Sequence, residues 1–348
     1  MPLPHLVIHF DVNETIICSD PAGGDTVADC LHKAIAKTLL IKIDDEKEGR
    51  CILSDGTNLD DVQGILSVED ALGYLHSEWQ PISGMETYYK SSFKRNVRTW
   101  NTHPHGLIFS DLKKYLEEGL KVTPGVSLGD SLCKDGKSHF IFPAFFNAIK
   151  RLSEDCRDFT IVIRTFGDDL DDVIGGIDAF ATGNHPLFSD FKDTAFEMEE
   201  TWKKLKFSWA DDGTFEVSNE HRTINNDDEL LAVLQNGPKI IGIQDDYQFW
   251  RKSGYKPCCG KPVFIEEGTK FHHIFFDDNI HNDPNDSIVA VRAKRGGKWE
   301  ALSGQETTEQ HGKHLVRVHT IRAILDLDYF YNKIQECEAS LQNESYKG

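Results

Sequence analysis

Short runs of β-branched and aromatic residues recur along the chain: LVIHF (6–10), FTIVIR (159–164), KIIGIQ (239–244), HIFF (273–276) and SIVAVR (287–292). Each is nearly continuous in apolar character rather than alternating, the pattern of strands covered on both faces of a parallel sheet. Between them lie stretches with apolar residues at three- and four-residue steps, the spacing of one helix face. FPAFFNAIKRLSED precedes the second run, DDLDDVIGGIDAFA follows it, and IRAILDLDYFYNKIQECEASLQ closes the chain. Strands alternating with helices predict an α/β protein with a Rossmann-like parallel sheet.

The first and second strands are separated by far more chain than a crossover requires. That segment has its own helical patterns, VADCLHKAIAKTLL and SVEDALGYLHSEW, and glycine-rich turns such as DPAGGD. The expected organisation is a core of 1–15 and 141–348 with an inserted, mainly helical cap at 16–140. A smaller insertion is expected at about 182–229, where FSWADDGTFEV has the two strand-like runs and Asp-Asp-Gly turn of a hairpin.

Composition narrows the function. The 348 residues are 39% hydrophobic and 27% charged, as in a soluble globular protein, and the net charge of -19 argues against a large nucleic-acid surface. No apolar run is long enough to span a membrane, and strand-like sequence from Leu6 leaves no room for a signal peptide. The eight cysteines are irregularly spaced, which suits a reducing compartment, so a cytoplasmic location is expected. The Asn13-Glu14-Thr15 sequon is not expected to carry a glycan, which would obstruct the site described next. Cys258-Cys259 and His272-His273 lack the offsets with which ligands converge on zinc. The DVNETIICSDPA stretch lacks the glycine and glutamate of a calcium loop, and no GxxxxGK[ST] nucleotide loop is present. Oligomeric state leaves no mark on the sequence.

In an open parallel sheet the binding crevice lies beyond the carboxyl ends of the strands. The first strand delivers Asp11, Asn13 and Thr15 there; the second Thr165; the third Gln244, Asp245 and Asp246; the fourth Asp277, Asp278 and Asn279. Lys261 lies just upstream of the fourth. Carboxylates gathered at strand tips repel one another unless a cation sits between them, and hard oxygen donors point to Mg²⁺. A lysine and a threonine hydroxyl beside them suit an anionic substrate, a small phosphorylated molecule.

FDVNET, IVIRT, a lysine near GKP, and IFFDDN, in that order, resemble the four motifs of the haloacid dehalogenase (HAD) superfamily, mostly Mg²⁺-dependent phosphatases. The resemblance implies that Asp11 is the nucleophile, forming an aspartyl-phosphate, that Thr165 holds the phosphoryl group and that Lys261 is the basic residue. Arg251, Lys252 and Lys256 are in range of a similar substrate-binding role. Mg²⁺ would rest on Asp11, the Asn13 carbonyl and Asp277, with Asp278 acting through water or the lysine and Asp283 a further candidate. The cap falls where the family places its first type of cap.

Asn13 departs from the pattern, because family phosphatases have an aspartate there as general acid and base. An amide keeps the shape but transfers no proton, a loss of roughly 10²–10⁴-fold for leaving groups that need one. Three readings follow. The chain is a phosphohydrolase that draws its proton from Asp245, Asp246 or a cap histidine; or a dehalogenase, whose halide leaves unprotonated; or a non-catalytic binder of a phosphorylated ligand. The paired acids Asp277 and Asp278 favour Mg²⁺ and phosphate, since without a cation they would leave uncompensated charge beside Asp11. On the first reading, Asn13→Asp is expected to raise alkyl phosphate hydrolysis.

Overall fold

In a computed structural model that describes residues 3–20, 23–44, 50–76, 83–266, 269–281, 283–285 and 287–345, the chain forms two compact units. Met1–Ile17, Val122–Val318 and Asp326–Gly348 make the first, and Cys18–Lys121 with His319–Leu325 the second.

Strand β1 (His5–Asp11) opens the first unit. The second then runs through α1 (Val27–Thr38), β2 (Leu40–Asp44), β3 (Arg50–Leu53), α2 (Val68–Gly73), β4 (Glu86–Thr87), a 3-10 helix (Ser92–Thr99), α3 (Pro104–Leu107) and α4 (Ser110–Leu120). The first unit resumes with α5 (Pro143–Glu154), β5 (Phe159–Thr165), α6 (Leu170–Ala181), β6 (Leu205–Trp209), β7 (Phe215–Ser218), β8 (Thr223–Ile224) and α7 (Asp227–Asn236). It continues through β9 (Ile240–Gln244), α8 (Tyr247–Lys252), β10 (Lys261–Ile265), β11 (Phe271–Asp277), β12 (Val289–Arg295), β13 (Lys298–Ala301), α9 (Gly304–Thr308) and β14 (Leu315–Arg317). Helix α10 (Thr320–Leu325) belongs to the second unit, and α11 (Tyr329–Ser345) closes the first.

The main sheet has eight strands in the order β14-β11-β1-β5-β9-β6-β7-β8, parallel from β14 to β6 and antiparallel beyond. From β1 the chain steps outward to β5 and β9 on one side, then crosses to β11 and β14 on the other. The reversal places a crevice at the carboxyl ends of β1 and β11. Successive side chains of β1 face opposite ways. On one face Phe10 stacks on Phe276 at 4.9 Å and meets Phe145 of α5 and Phe330 of α11 edge-on at 5.1 and 5.3 Å. On the other, Val7 shares a core with Val162, Ile241 and the α7 leucines Leu230, Leu231 and Leu234.

The sheet extends further than the sequence reading allowed. The hairpin expected inside a separate insertion at 182–229 is β6 and β7, and β6 pairs with β9, because Phe207, Phe215 and Val217 bury their rings and methyls in the same core as Val7. The SIVAVR run (287–292) leaves the main sheet: β12 pairs with β10 and β13 in a sheet of three. Gly296 and Gly297, at φ 56° and 81°, form the two-residue turn from β12 to β13, a conformation suited to glycine. The final helical stretch divides at 326–328 into α10 and α11, and β14 is a strand too short to read.

The second unit is smaller than the expected cap, since 122–140 group with the sheet unit. It is not purely helical, for β3-β2-β4 form an antiparallel sheet. Helix α1 starts at a capping box, where Thr26 accepts from the Asp29 N–H and the Asp29 carboxylate accepts from the Thr26 N–H at 2.9 Å. Trp100 is buried there, edge-on to Tyr88 at 5.0 Å and stacked on Phe109 at 6.0 Å. The SVEDALGYLHSEW helix is realised as α2, and 77–79 lie outside the described residues. Among the described residues no helix is long and apolar enough to cross a membrane.

Phe10→Ala removes the ring on which α5, α11 and β11 converge. The expected loss is about 3–5 kcal/mol of unfolding free energy, read from urea denaturation. A loss below about 1 kcal/mol would mean that the ring does not knit these elements together.

Candidate functional site

The polar site grows from the β1 face that carries Val7, His9 and Asp11. Parallel register sets Asp11 beside Arg164 of β5, and Phe10 beside Phe276, so Asp277 stands next to Asp11 at the neighbouring strand end. The chain turns sharply after β1. The Val12 carbonyl accepts from the N–H groups of Thr15, Ile16 and Ile17 at 3.3, 3.0 and 3.2 Å, and Glu14 takes a left-handed φ of 56°. Such a conformation is costly for a residue with a side chain and is held only where its surroundings fix it. The turn swings Thr15 back over Asp11. Its hydroxyl donates to Asp11 Oδ2 at 3.3 Å and accepts from the Asp278 N–H at 3.1 Å, tying the ends of β1 and β11 together.

Lys261, the first residue of β10, enters from the small sheet. Its Nζ donates to Asp11 Oδ1 and to Asp277 Oδ2, the latter at 2.8 Å, and lies 4.7 Å from the centre of the Phe166 ring. The ammonium is only 1% exposed. Burial by itself would lower its pKa, but Asp11, Asp277 and Asp245 outweigh that and hold it above the usual lysine value. Position 260 has no room for a side chain, since a Cβ on Gly260 would lie 2.3 Å from the Ile288 carbonyl oxygen.

Asp11, Asp277 and Asp278 are all buried, and a carboxylate oxygen from each lies within 4.8 Å of the others. Burial, and then Asp277 and Asp278, push the Asp11 carboxyl well above the usual carboxylate range, with Lys261 pulling against them. Asp277 Oδ1 accepts from the Asn279 N–H at 2.8 Å, and Asp278 Oδ1 from the Asn279 side chain at 3.2 Å. Three hard oxygen donors at this spacing could hold a divalent cation.

Thr165 ends β5 fully buried; its hydroxyl accepts from the Gly167 N–H at 2.9 Å and keeps its own proton to donate. Asn13 is used in a way the sequence did not reveal. Its amide donates to Asp169 Oδ2 at 3.0 Å, while its Oδ1 is buried with no hydrogen-bond partner among the described residues. The Asp169 carboxylate sits over Gly167, where a Cβ would lie 2.5 Å from Asp169 Oδ2 and 3.5 Å from Thr165 Oγ1.

Several expected members stand elsewhere. Arg251, Lys252 and Lys256 are exposed, and Lys252 pairs with Asp211 at 3.0 Å, so the cation that meets the carboxylates is Lys261. Neither Asp245 nor Asp246 is poised as an acid. Asp245 is held by Nε and Nη2 of Arg164, the Nε at 2.9 Å, and Asp246 caps α8 by accepting from the Phe249 N–H at 2.9 Å and from the Trp209 N–H at 3.1 Å. Asp283 accepts the Asn285 N–H at 2.9 Å as a turn residue. Trp250 of YQFWR stacks on Phe166 at 5.4 Å, a packing role.

Arg164 went unread, although an arginine inside a run of buried β-branched residues is itself a signal. It is 1% exposed, and beyond Asp245 it donates to the Pro262 carbonyl at 2.9 Å, joining the two sheets below Lys261. Beneath it His9 meets His273 at 3.2 Å and stacks on Phe275 at 5.2 Å. His272 bonds the Lys313 carbonyl at 2.8 Å, so the paired histidines of β11 face opposite sides as buried structural groups. Burial, then its histidine neighbours, lower the His273 pKa; burial, then Arg164 and His273, do the same for His9.

The chain matches no known family model, no curated protein and no solved structure. What can be said of its chemistry rests on these residues alone.

Neutral buried histidines bind fewer protons folded than unfolded, so their contribution to stability is present above pH 6.5 and is lost as pH falls below it. Each costs up to about 1.4 kcal/mol per pH unit in that window. Asp11, with its raised pKa, contributes in the opposite direction. Comparing wild type with His273→Gln at pH 7.5 and pH 5.5 isolates the histidine part, and the variant should lose less stability between the two. Equal losses would mean that His273 is protonated in the folded protein.

Proposed function

We propose that the chain is a Mg²⁺-dependent phosphohydrolase of the HAD-like kind, acting on a small phosphorylated substrate through an aspartyl-phosphate on Asp11. The observation that carries this reading is one buried cluster in which Lys261 and Thr15 grip Asp11 beside Asp277 and Asp278. The charge balance supports a cation as part of the site. Four buried carboxylates, Asp11, Asp245, Asp277 and Asp278, face Lys261 and Arg164, with Arg317 acting on Asp278. Asp11, Asp277 and Asp278 would hold Mg²⁺, whose charge keeps Asp11 ionised and draws in substrate phosphate.

The protein groups then divide the work. Lys261 fixes Oδ1 of Asp11, leaving Oδ2, restrained among the described residues only by the 3.3 Å bond from Thr15, as the oxygen that attacks phosphorus. Attack forms the Asp11–phosphorus bond and breaks the bond to the leaving oxygen. The Thr165 hydroxyl donates to a phosphoryl oxygen, and Lys261 offsets the charge that develops as the phosphoryl group moves. Water then attacks phosphorus as the Asp11–phosphorus bond breaks, regenerating the Asp11 carboxylate and releasing phosphate, which carries off the water's protons. Asn13 orients without transferring a proton, its amide being fixed by Asp169. Such a site suits leaving groups that depart as stable anions.

The first test is turnover of p-nitrophenyl phosphate, whose leaving group needs little protonation. Mg²⁺-dependent hydrolysis is expected, abolished by EDTA and reduced on the order of 10³-fold or more in Asp11→Asn. Full turnover in that variant would remove the assignment. Mg²⁺-dependent phosphate binding without turnover would leave a phospho-ligand binder instead.

The simple expectation for Asn13→Asp changes with the geometry, since the new carboxylate would stand a hydrogen-bond length from that of Asp169. The gain should instead come from Asn13→Asp combined with Asp169→Asn, which exchanges acid and amide and keeps the bond. In that double variant, alkyl phosphate hydrolysis should rise relative to p-nitrophenyl phosphate by about 10²-fold. An unchanged ratio would show that proton supply does not limit the reaction.

A further inference from the structure

We propose that the second unit carries a separate site for the phosphate groups of a small anionic ligand. It is a cavity of about 680 Å³ lined by Lys94, Arg95, Arg98, Lys33, Tyr89 and Ser92. The inference is independent of the carboxylate site.

The 3-10 helix Ser92–Thr99 forms one wall. With three residues per turn, side chains three apart eclipse one another, so Ser92, Arg95 and Arg98 stand in a single row. The row stacks two like charges side by side, a cost that an anion between them would relieve. Ser91 caps the helix by accepting from the Phe93 N–H at 3.1 Å, which fixes where the row starts. Lys94, on the next row, lies 4.6 Å from the centre of the Tyr89 ring, which holds its ammonium at the cavity edge.

The opposite wall is acidic but already satisfied. Lys33 pairs with Asp25 and lies 3.8 Å from Asp20, and the Asp29 carboxylate is taken up by the Thr26 N–H and hydroxyl at 2.9 and 2.6 Å. Arg95, Arg98 and Lys94 form no ion pair with any described residue. In a chain with 57 acidic and 38 basic side chains, partners are abundant, so three unpaired cations around one concavity are a retained positive site. Planar guanidinium forks suit phosphate oxygens, and the volume leaves space for more than one phosphate.

The test is calorimetric titration of pyrophosphate into the full chain at low salt without Mg²⁺, conditions in which the carboxylate cluster repels the probe. Binding is expected in wild type and in Asp11→Asn, weakened about tenfold or more in Arg95→Ala/Arg98→Ala and in Lys94→Ala/Arg98→Ala. These side chains are exposed, and thermal melts of the variants should overlay that of wild type. No binding by wild type, unchanged affinity in both double variants, or loss in Asp11→Asn would each overturn the proposal. Sedimentation with phosphatidic acid vesicles in the absence of pyrophosphate binding would also overturn it, assigning the row to a lipid headgroup.

Discussion

A single ammonium group holds the sheet unit's polar centre together. Lys261 is the first residue of a strand in the small sheet, yet its charge is spent on Asp11 and Asp277, at the ends of two strands in the large one. Removing it would leave neighbouring carboxylates buried without compensation, far more costly than losing an exposed pair. Arg164 repeats the arrangement one layer deeper, linking Asp245 of the loop after β9 to the carbonyl of Pro262 in β10. Two buried cations therefore set the separation of the sheets, and the carboxylates of the site are part of what keeps the fold closed at that edge.

The two faces of β1 divide the labour. Leu6, Ile8 and Phe10 look toward α5 and α11, where aromatic rings interlock around Phe10. Val7, His9 and Asp11 look the other way and grow more polar toward the carboxyl end, from the α7 leucines through the histidine pair to the carboxylates. The gradient follows from alternation along one strand. A shift of one residue in register would bury Asp11 among the phenylalanines.

The parallel sheet was legible because its strands are continuous apolar runs, and Asp11, Thr165 and Asp277 were legible because they stand where such runs stop, while Lys261, at the start of a strand, was picked out only as the lysine near GKP. What escaped was set by contacts distant in sequence. β12 reads as a core strand, and only its pairing with β10 and the Gly296-Gly297 turn assign it to another sheet. The hairpin at β6 and β7 reads as an insertion until its side chains are seen in the Val7 core. Asn13 reads as a lost acid, whereas its bond to Asp169, 156 positions away, makes it a donor that aspartate could not replace. Asp245 and Asp246 look available on paper and are engaged in the fold.

The missing methyl at Gly260 reaches further than its size suggests. The β10 backbone can lie against Ile288 only because nothing projects from position 260, and the next residue delivers the ammonium. Any larger residue must push that backbone outward, and Lys261 would travel with it. The placement of a charge at the heart of the molecule thus depends on a residue that has no charge, no polar side chain and no contact with the carboxylates. Damage there would look like a chemical defect in a protein that is otherwise intact.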